Sequence, residues 1–204
     1  MTNNAKRYTT RKFSKFFLLF CILSGVISCS SSAPPLRYYL LHGVAPASGD
    51  SSAELNFQQT VVLNALVIPD YLKQAGLVYQ LSPAELHISQ SHFWSESVDV
   101  GINQLLRDGM KRNNIQLVSA ARVPTNANEL VSLSLFIDDF LPTWQGYVIL
   151  KGRFELKDKS GEVSVHEFHY TQSLSEDGFD HSILAMRSVI NSLSSDLSSL
   201  LKVN

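Results

Sequence analysis

Cysteine is nearly absent from this 204-residue chain: there are two, Cys21 and Cys29. Two residues cannot build the dense disulfide framework of a small secreted scaffold. There is no apolar run of bilayer-spanning length either. The one sustained apolar stretch, Phe16 to Ile27, is about a dozen residues long, where a membrane-spanning helix needs about 20. Charge is sparse, at 17 % of residues, but hydrophobic content is ordinary and nothing points to a disordered chain. No Gly-x-Ser-x-Gly elbow and no glycine-rich phosphate loop occurs. There is no internal repeat and no second linker, so the length is that of a single domain with a sizeable core.

What is present at the N-terminus has a definite grammar. Lys6, Arg7, Arg11, Lys12 and Lys15 precede the apolar stretch, and no acidic residue does. A basic segment, a short apolar segment and small residues make a secretory signal. Val26-Ile27-Ser28-Cys29 then resembles the lipobox of bacterial lipoproteins. Small residues give a peptidase access to the backbone, and a thiol carries diacylglycerol as a thioether. Cleavage between Ser28 and Cys29 leaves Cys29 as the lipidated N-terminus. No cofactor is expected beyond the diacylglycerol and an N-acyl chain such as palmitate on Cys29.

Each buried CH₂ contributes about 0.8 kcal/mol, so two or three chains anchor stably where one does not. Cys21 leaves with the signal, and the mature chain is expected to hold no disulfide. The signal also takes five of the 17 basic residues and none of the 18 acids. Twelve Lys and Arg remain, giving a net charge near −6. Without a basic cluster, nucleic acid is not an expected partner.

The mature chain reads as strands, helix, strands, helix. Ser30 to Pro35 is a short polar tether. Arg37 to His42 is a first strand and Val44 to Ala53 a loop. Phe57 to Ile68 is apolar on both faces, the pattern of a central strand. Leu77–Leu81 and Glu85–Gln90 flank Ser82-Pro83-Ala84 as a hairpin. Val98, Ile102, Leu105, Leu106 and Met110 recur at helical spacing within Ser95–Asn113, with Ser95 as the expected N-cap. Ile115–Ser119 is a short strand. Val131 to Asp138, Val148 to Leu156 and Val163 to Leu174 alternate as half-buried antiparallel strands. Phe179 to Lys202 closes the chain as a helix. The expected fold is α+β: one domain, a mostly antiparallel sheet with two main helices packed on it.

Chemistry-bearing constellations are scarce. His166 and His169 are three apart on a strand and point to opposite faces, and His87 and His92 have no carboxylate cluster beside them. No metal site is expected. Asp138-Asp139 reads as a solvated strand end followed by a loop at Phe140-Leu141-Pro142, so no catalytic residue is assigned. Two sets of residues suit contacts instead. Tyr71, Tyr79 and Trp94 lie in aromatic, turn-rich segments and form a candidate contact surface, although Trp94 also suits a staple at the helix start. Ser188, Ser192, Ser195 and Ser199 line one face of the last helix, either as a solvated face or as a candidate oligomer contact.

These segments, in order, resemble the ABC-type transport auxiliary lipoproteins, also called the PqiC/YmbA family. The resemblance rests on the lipobox, Tyr38-Tyr39-Leu40, Val67-Ile68-Pro69-Asp70-Tyr71-Leu72 and Leu77-Val78-Tyr79-Gln80. It continues through Trp94, Gly146-Tyr147-Val148-Ile149 and Asp177-Gly178-Phe179-Asp180. Ser97 stands where the family often has a proline after the tryptophan. The resemblance implies a signal peptide over 1–28, a lipidated tether over 29–36 and the auxiliary domain over 37–204. It implies a non-enzymatic lipoprotein on the periplasmic face of the outer membrane, the residue after Cys29 being Ser30 and not Asp. The implied partners are a periplasm-spanning MCE-domain (PqiB-like) protein and, through it, an inner-membrane component. The implied role is lipid transport between the two membranes and support of envelope integrity. A homo-oligomeric ring is compatible with the cyclic symmetry of such partners. The competing expectation is a structural or regulatory envelope lipoprotein that binds a cell-wall enzyme, which a six-residue tether disfavours, since it reaches only about 3.5 Å per residue.

Overall fold

The structure is a computed structural model that describes residues 34–43, 56–122 and 130–203. Ser28, Cys29 and the polar part of the tether lie outside the described residues. The elements are β1 (Arg37–Tyr39), β2 (Gln59–Val67), β3 (Gly76–Ser82), β4 (Glu85–Trp94), α1 (Val98–Lys111), β5 (Ile115–Ser119), β6 (Val131–Pro142), β7 (Tyr147–Lys157), β8 (Val163–Ser173) and α2 (Phe179–Val203).

The α+β class and the two helices are as expected, but the strands divide between two sheets. Five form a sheet in the order β5-β2-β6-β7-β8, and three form a smaller one in the order β1-β4-β3. β2 is central, as its two apolar faces require, and it runs parallel to both neighbours. The β6–β7 and β7–β8 pairs are antiparallel. On β7, Val148, Leu150, Phe154 and Leu156 are buried, while Lys151 and Arg153 face solvent. The helices lie side by side on the buried face, and Ile102, Leu106, Met110, Ile190, Leu193 and Leu197 are sealed from water against Leu133, Leu135 and Leu150. At about 25 cal/mol per Å² of apolar area removed from water, this layer dominates the stability of the fold.

Four local departures from the sequence reading have physical causes. β1 ends at Tyr39, not His42, because the Arg187 guanidinium draws the next carbonyls away: Nε donates to Leu41 O at 2.7 Å and an Nη to Leu40 O at 3.1 Å. α1 begins at Val98 with Ser97, not Ser95, at its N-cap position; Ser95 still belongs to the pairing of the small sheet, its N–H donating to Tyr39 O at 2.8 Å. β4 runs on to Trp94 past an irregularity, where Ser89 Oγ accepts from the His92 N–H at 3.1 Å. β6 runs on to Pro142, so Phe140-Leu141-Pro142 is strand and not loop.

The cause in β6 is a register shift between Ile137 and Asp139. The extra residue restarts the alternation and turns Phe140 fully inward. Opposite it, a Cβ on Gly152 would lie 2.1 Å from Phe136 O, so the close approach of the strands admits only glycine there. Asp138-Asp139 is therefore a mid-strand feature. Asp139 pairs with Lys151 at 2.7 Å, and that hydrogen bond holds the Lys151 ammonium above the usual lysine range.

A candidate docking groove

The sequence-expected contact residues separate in space. Trp94 is 9 % exposed and belongs to the core, where it packs at the junction of β4 and α1. Tyr71 sits on a single 3-10 turn, Asp70–Lys73. Its hydroxyl accepts from the Phe140 N–H at 3.0 Å, and burial pushes its phenol up to about 12. Both are structural residues: one fills the core, and the other satisfies a backbone donor of β6. Tyr79 alone of the three lines a surface groove. Its ring meets Phe179 edge-on at 5.7 Å and His87 at 4.9 Å.

The serines of α2 form two stripes. Ser192, Ser195 and Ser199 are exposed and Ser188 is half-buried. Ser192, Ser195 and Ser199 return their hydroxyls to the carbonyls four residues back, and Ser188 donates to Gln172 at 3.2 Å. The close helix packing uses a different pair, Ser194 and Ser198, which are buried. A Cβ on Gly109 of α1 would stand 2.4 Å from Ser194 Cβ.

The groove beside Tyr79 has a volume of about 400 Å³. It brings together three segments far apart in sequence: the end of β3, the β6–β7 turn, and the turn into α2. Each reaches the groove through its own local chemistry. The β6–β7 turn is closed by Thr143, whose N–H and Oγ1 both donate to Tyr147 O at 2.7 and 2.8 Å. Gly146 completes it in the left-handed region, at φ +80°. Gly178 stands before α2 at φ +120°, and its carbonyl accepts the first helical N–H, from Ser182, together with the Ser182 hydroxyl. Open space surrounds both glycine positions, so conformation and not crowding selects glycine there. Asp177 lines the groove and Asp180 lies in the first turn of α2, where acids suit the positive helix end.

Two large apolar side chains stay in water at this groove: Trp144 is 53 % exposed and Leu81 is 43 % exposed. Exposed tryptophan is the side chain that most often anchors a protein contact. Trp144 is not among the residues that the sequence pattern singles out, although Gly146-Tyr147 begins two residues later; its signal is its place on the tip of a two-strand turn, from which a tryptophan does not reach a core. Elsewhere, His166 of β8 stacks on its cross-strand partner Phe154 of β7 at 5.0 Å. Among the described residues, no three His, Cys, Asp or Glu side chains stand together as a metal site would require. Also among the described residues, no helix is long and apolar enough to cross a membrane.

Comparison with known proteins places these features in a family. Residues 39–198 match the model of the ABC-type transport auxiliary lipoprotein component. The intermembrane transport lipoprotein PqiC of Escherichia coli K12 is 24 % identical over 161 residues, 79 % of this chain and 83 % of that protein. PqiC of Shigella flexneri aligns to the same extent. A crystal structure of an uncharacterized protein superposes with a TM-score of 0.68 at 19 % identity, covering 82 % of this chain and 99 % of that one. A Xanthomonas campestris protein superposes with a TM-score of 0.58 at 12 % identity over 81 % and 93 % of the two chains. These two likenesses establish the fold. The motif segments quoted above, Leu77–Gln80, Gly146–Ile149 and Asp177–Asp180, are the ones that converge on the groove. With four-fifths of its length inside the family model, the chain belongs to the ABC-type transport auxiliary lipoprotein component family.

Proposed function

We propose that this protein is a lipid-anchored docking subunit of an intermembrane lipid transport system. Its domain, over residues 37–204, is tethered through lipidated Cys29 to the periplasmic face of the outer membrane. There it seats the far end of a periplasm-spanning MCE-type, PqiB-like protein, whose other end belongs to an inner-membrane component. The observation that carries the reading is the groove at Tyr79, Trp144 and Phe179, where three separate motif segments meet around exposed apolar side chains. The alignment with PqiC supports the transport setting.

The physical need is clear. A lipid crossing water exposes its acyl chains at about 0.8 kcal/mol per CH₂, so a conduit has to be held against the receiving membrane. A domain on a short acylated tether supplies that hold by position, with no chemical step. The homo-oligomeric ring and the serine face at Ser188, Ser192, Ser195 and Ser199 belong to the same proposal.

The test is affinity purification of the lipidated chain from solubilised membranes, beside the Trp144→Ala and Leu81→Ala variants. Recovery of an MCE-domain protein with the parent chain, and its loss by about tenfold with the variants, is expected for removal of a contact anchor. Recovery of a cell-wall enzyme in its place overturns the transport reading. Mass measurement on the purified chain tests the ring.

A further inference from the structure

The small sheet packs one face against the start of α2; on its other face Val78 is buried, but the side chains around it from β1 to the far end of β4 are in water. Tyr39 and Tyr79, with His92, close on Phe179 at the start of α2. On the opposite face, Tyr38 and Phe93 are register partners on the parallel strands β1 and β4, with ring centroids 5.7 Å apart. Phe93 is in turn opposite Gly76, and a Cβ built on Gly76 would lie 2.9 Å from Ile88 Cγ2. Leu86 stands two residues before Ile88 and shares its face. A continuous apolar strip therefore crosses the sheet from Tyr38 to Leu86.

The strip is in water. Tyr38 is 65 % exposed, Ile88 45 % and Leu86 41 %, and Leu36, two residues before Tyr38, is 59 % exposed. Among the described residues, eleven large hydrophobic side chains are exposed, and four of them, Leu36, Tyr38, Leu86 and Ile88, lie on this strip or its lead-in. The sheet carries two formal charges, Arg37 beside Tyr38 and Glu85 at the far hairpin turn. Apolar side chains, a tyrosine and a flanking cation at one end, with the one acid of the sheet at the hairpin turn beside Leu86, make a surface suited to a headgroup–acyl boundary.

Chain length identifies what covers it. Six residues separate Cys29 from Leu36, so Leu36 lies within about 25 Å of the anchored residue even when the tether is fully extended. The strip thus begins where the chain leaves the bilayer. We propose that this face of the three-stranded sheet rests on the phospholipid surface that holds the anchor, with Leu36, Tyr38, Ile88 and Leu86 in the boundary region. The proposal rests on lipidation of Cys29. It gives the subunit a fixed orientation: this face of the small sheet meets lipid, and the groove at Trp144 stays clear for a partner.

Acylation makes the test clean. With Cys21 removed and the Cys29 thiol in a thioether, Tyr38→Cys, Ile88→Cys and Ser192→Cys each introduce the single free thiol. Each lipidated chain is labelled with a nitroxide and reconstituted into vesicles of phosphatidylethanolamine and phosphatidylglycerol. Collision of the label with oxygen, which concentrates in the bilayer, is then compared with collision with a water-soluble nickel chelate. The expected result is an oxygen-to-nickel ratio severalfold higher at positions 38 and 88 than at 192. Equal ratios at all three sites overturn the proposal, as does shielding of 38 and 88 from both reagents, which marks a protein contact. A chain that fails to float with the vesicles overturns the anchor as well, and flotation separates that failure from the others.

Discussion

Gly109→Ala tests how closely the two helices are packed. A methyl at this position would stand 2.4 Å from Ser194 Cβ and 2.6 Å from its Oγ, where carbon pairs prefer about 3.5–4.0 Å. Ser194 Cβ is fixed to its backbone, and its hydroxyl is already bonded to Ile190 O at 2.9 Å. The methyl therefore has no flexible neighbour to displace, and the helices must part. Overpacking of this kind costs about 1–3 kcal/mol. Alanine recovers about 1 kcal/mol through its higher helix propensity, so the net loss at the middle of that range is about 1 kcal/mol. At about 2–4 °C per kcal/mol for a domain of this size, Tm falls by about 2–4 °C in calorimetry.

Ser194→Gly opens the facing position at a modest propensity cost. In the Gly109→Ala/Ser194→Gly double variant the gap has moved from one helix to the other. The double should be more stable than the sum of the singles by at least about 1 kcal/mol. A Tm that rises with Gly109→Ala alone, as propensity by itself dictates, or strict additivity in the cycle, would refute the close approach.

Three further outcomes follow from the structure. Arg187→Ala leaves the Leu40 and Leu41 carbonyls without their charged donor and should lower stability by about 2–3 kcal/mol in urea titration, with Arg187→Lys rescuing only in part. Tyr71 is neutral and half-buried in the fold, with its phenol raised to about 12 from an ordinary 10. The folded state thus keeps its proton where the unfolded chain loses it, so stability is full below pH 10 and falls from pH 10 to 12. Tyr71→Phe should flatten that fall and cost about 1 kcal/mol at neutral pH, read by denaturant melts across the range. Gly178→Ala forces a Cβ into φ +120° and should cost about 1–3 kcal/mol in thermal melts although nothing crowds the site.

Much of the architecture could be read in the side-chain pattern, because burial acts on residues directly. The alternation Val148-Leu150-Gly152-Phe154-Leu156 specifies which face of β7 is covered, and the stripe Ile183–Leu200 specifies the core side of α2. Pairing is different. A strand's own sequence does not name its neighbour, so the parallel partners of β2 and the split into two sheets came only with the structure. Bulges also hide: one extra residue at Asp138 reverses the alternation and makes Phe140-Leu141 look like a loop. Trp94 carried two meanings in sequence, staple or contact, and its 9 % exposure assigns it to packing.

The candidate site was legible in part. Tyr79, Gly146 and Asp177-Gly178-Phe179 were recognised as segments, but their convergence depends on the β6–β7 turn standing next to the start of α2, a tertiary fact. The serine stripe was visible as Ser188, Ser192, Ser195 and Ser199, yet the tight helix contact uses Ser194 and Ser198. Its complement is Gly109 on α1, and a small residue declares itself as a contact only when the gap it fills is known.

The most direct measurement is site-specific photo-crosslinking in living cells, with a photoreactive amino acid replacing Trp144 in the groove and, as a control, Glu162 at the β7–β8 turn. A docking subunit predicts that the groove position alone captures an MCE-domain protein. Capture of a cell-wall enzyme at the groove, or the same products from both positions, contradicts it.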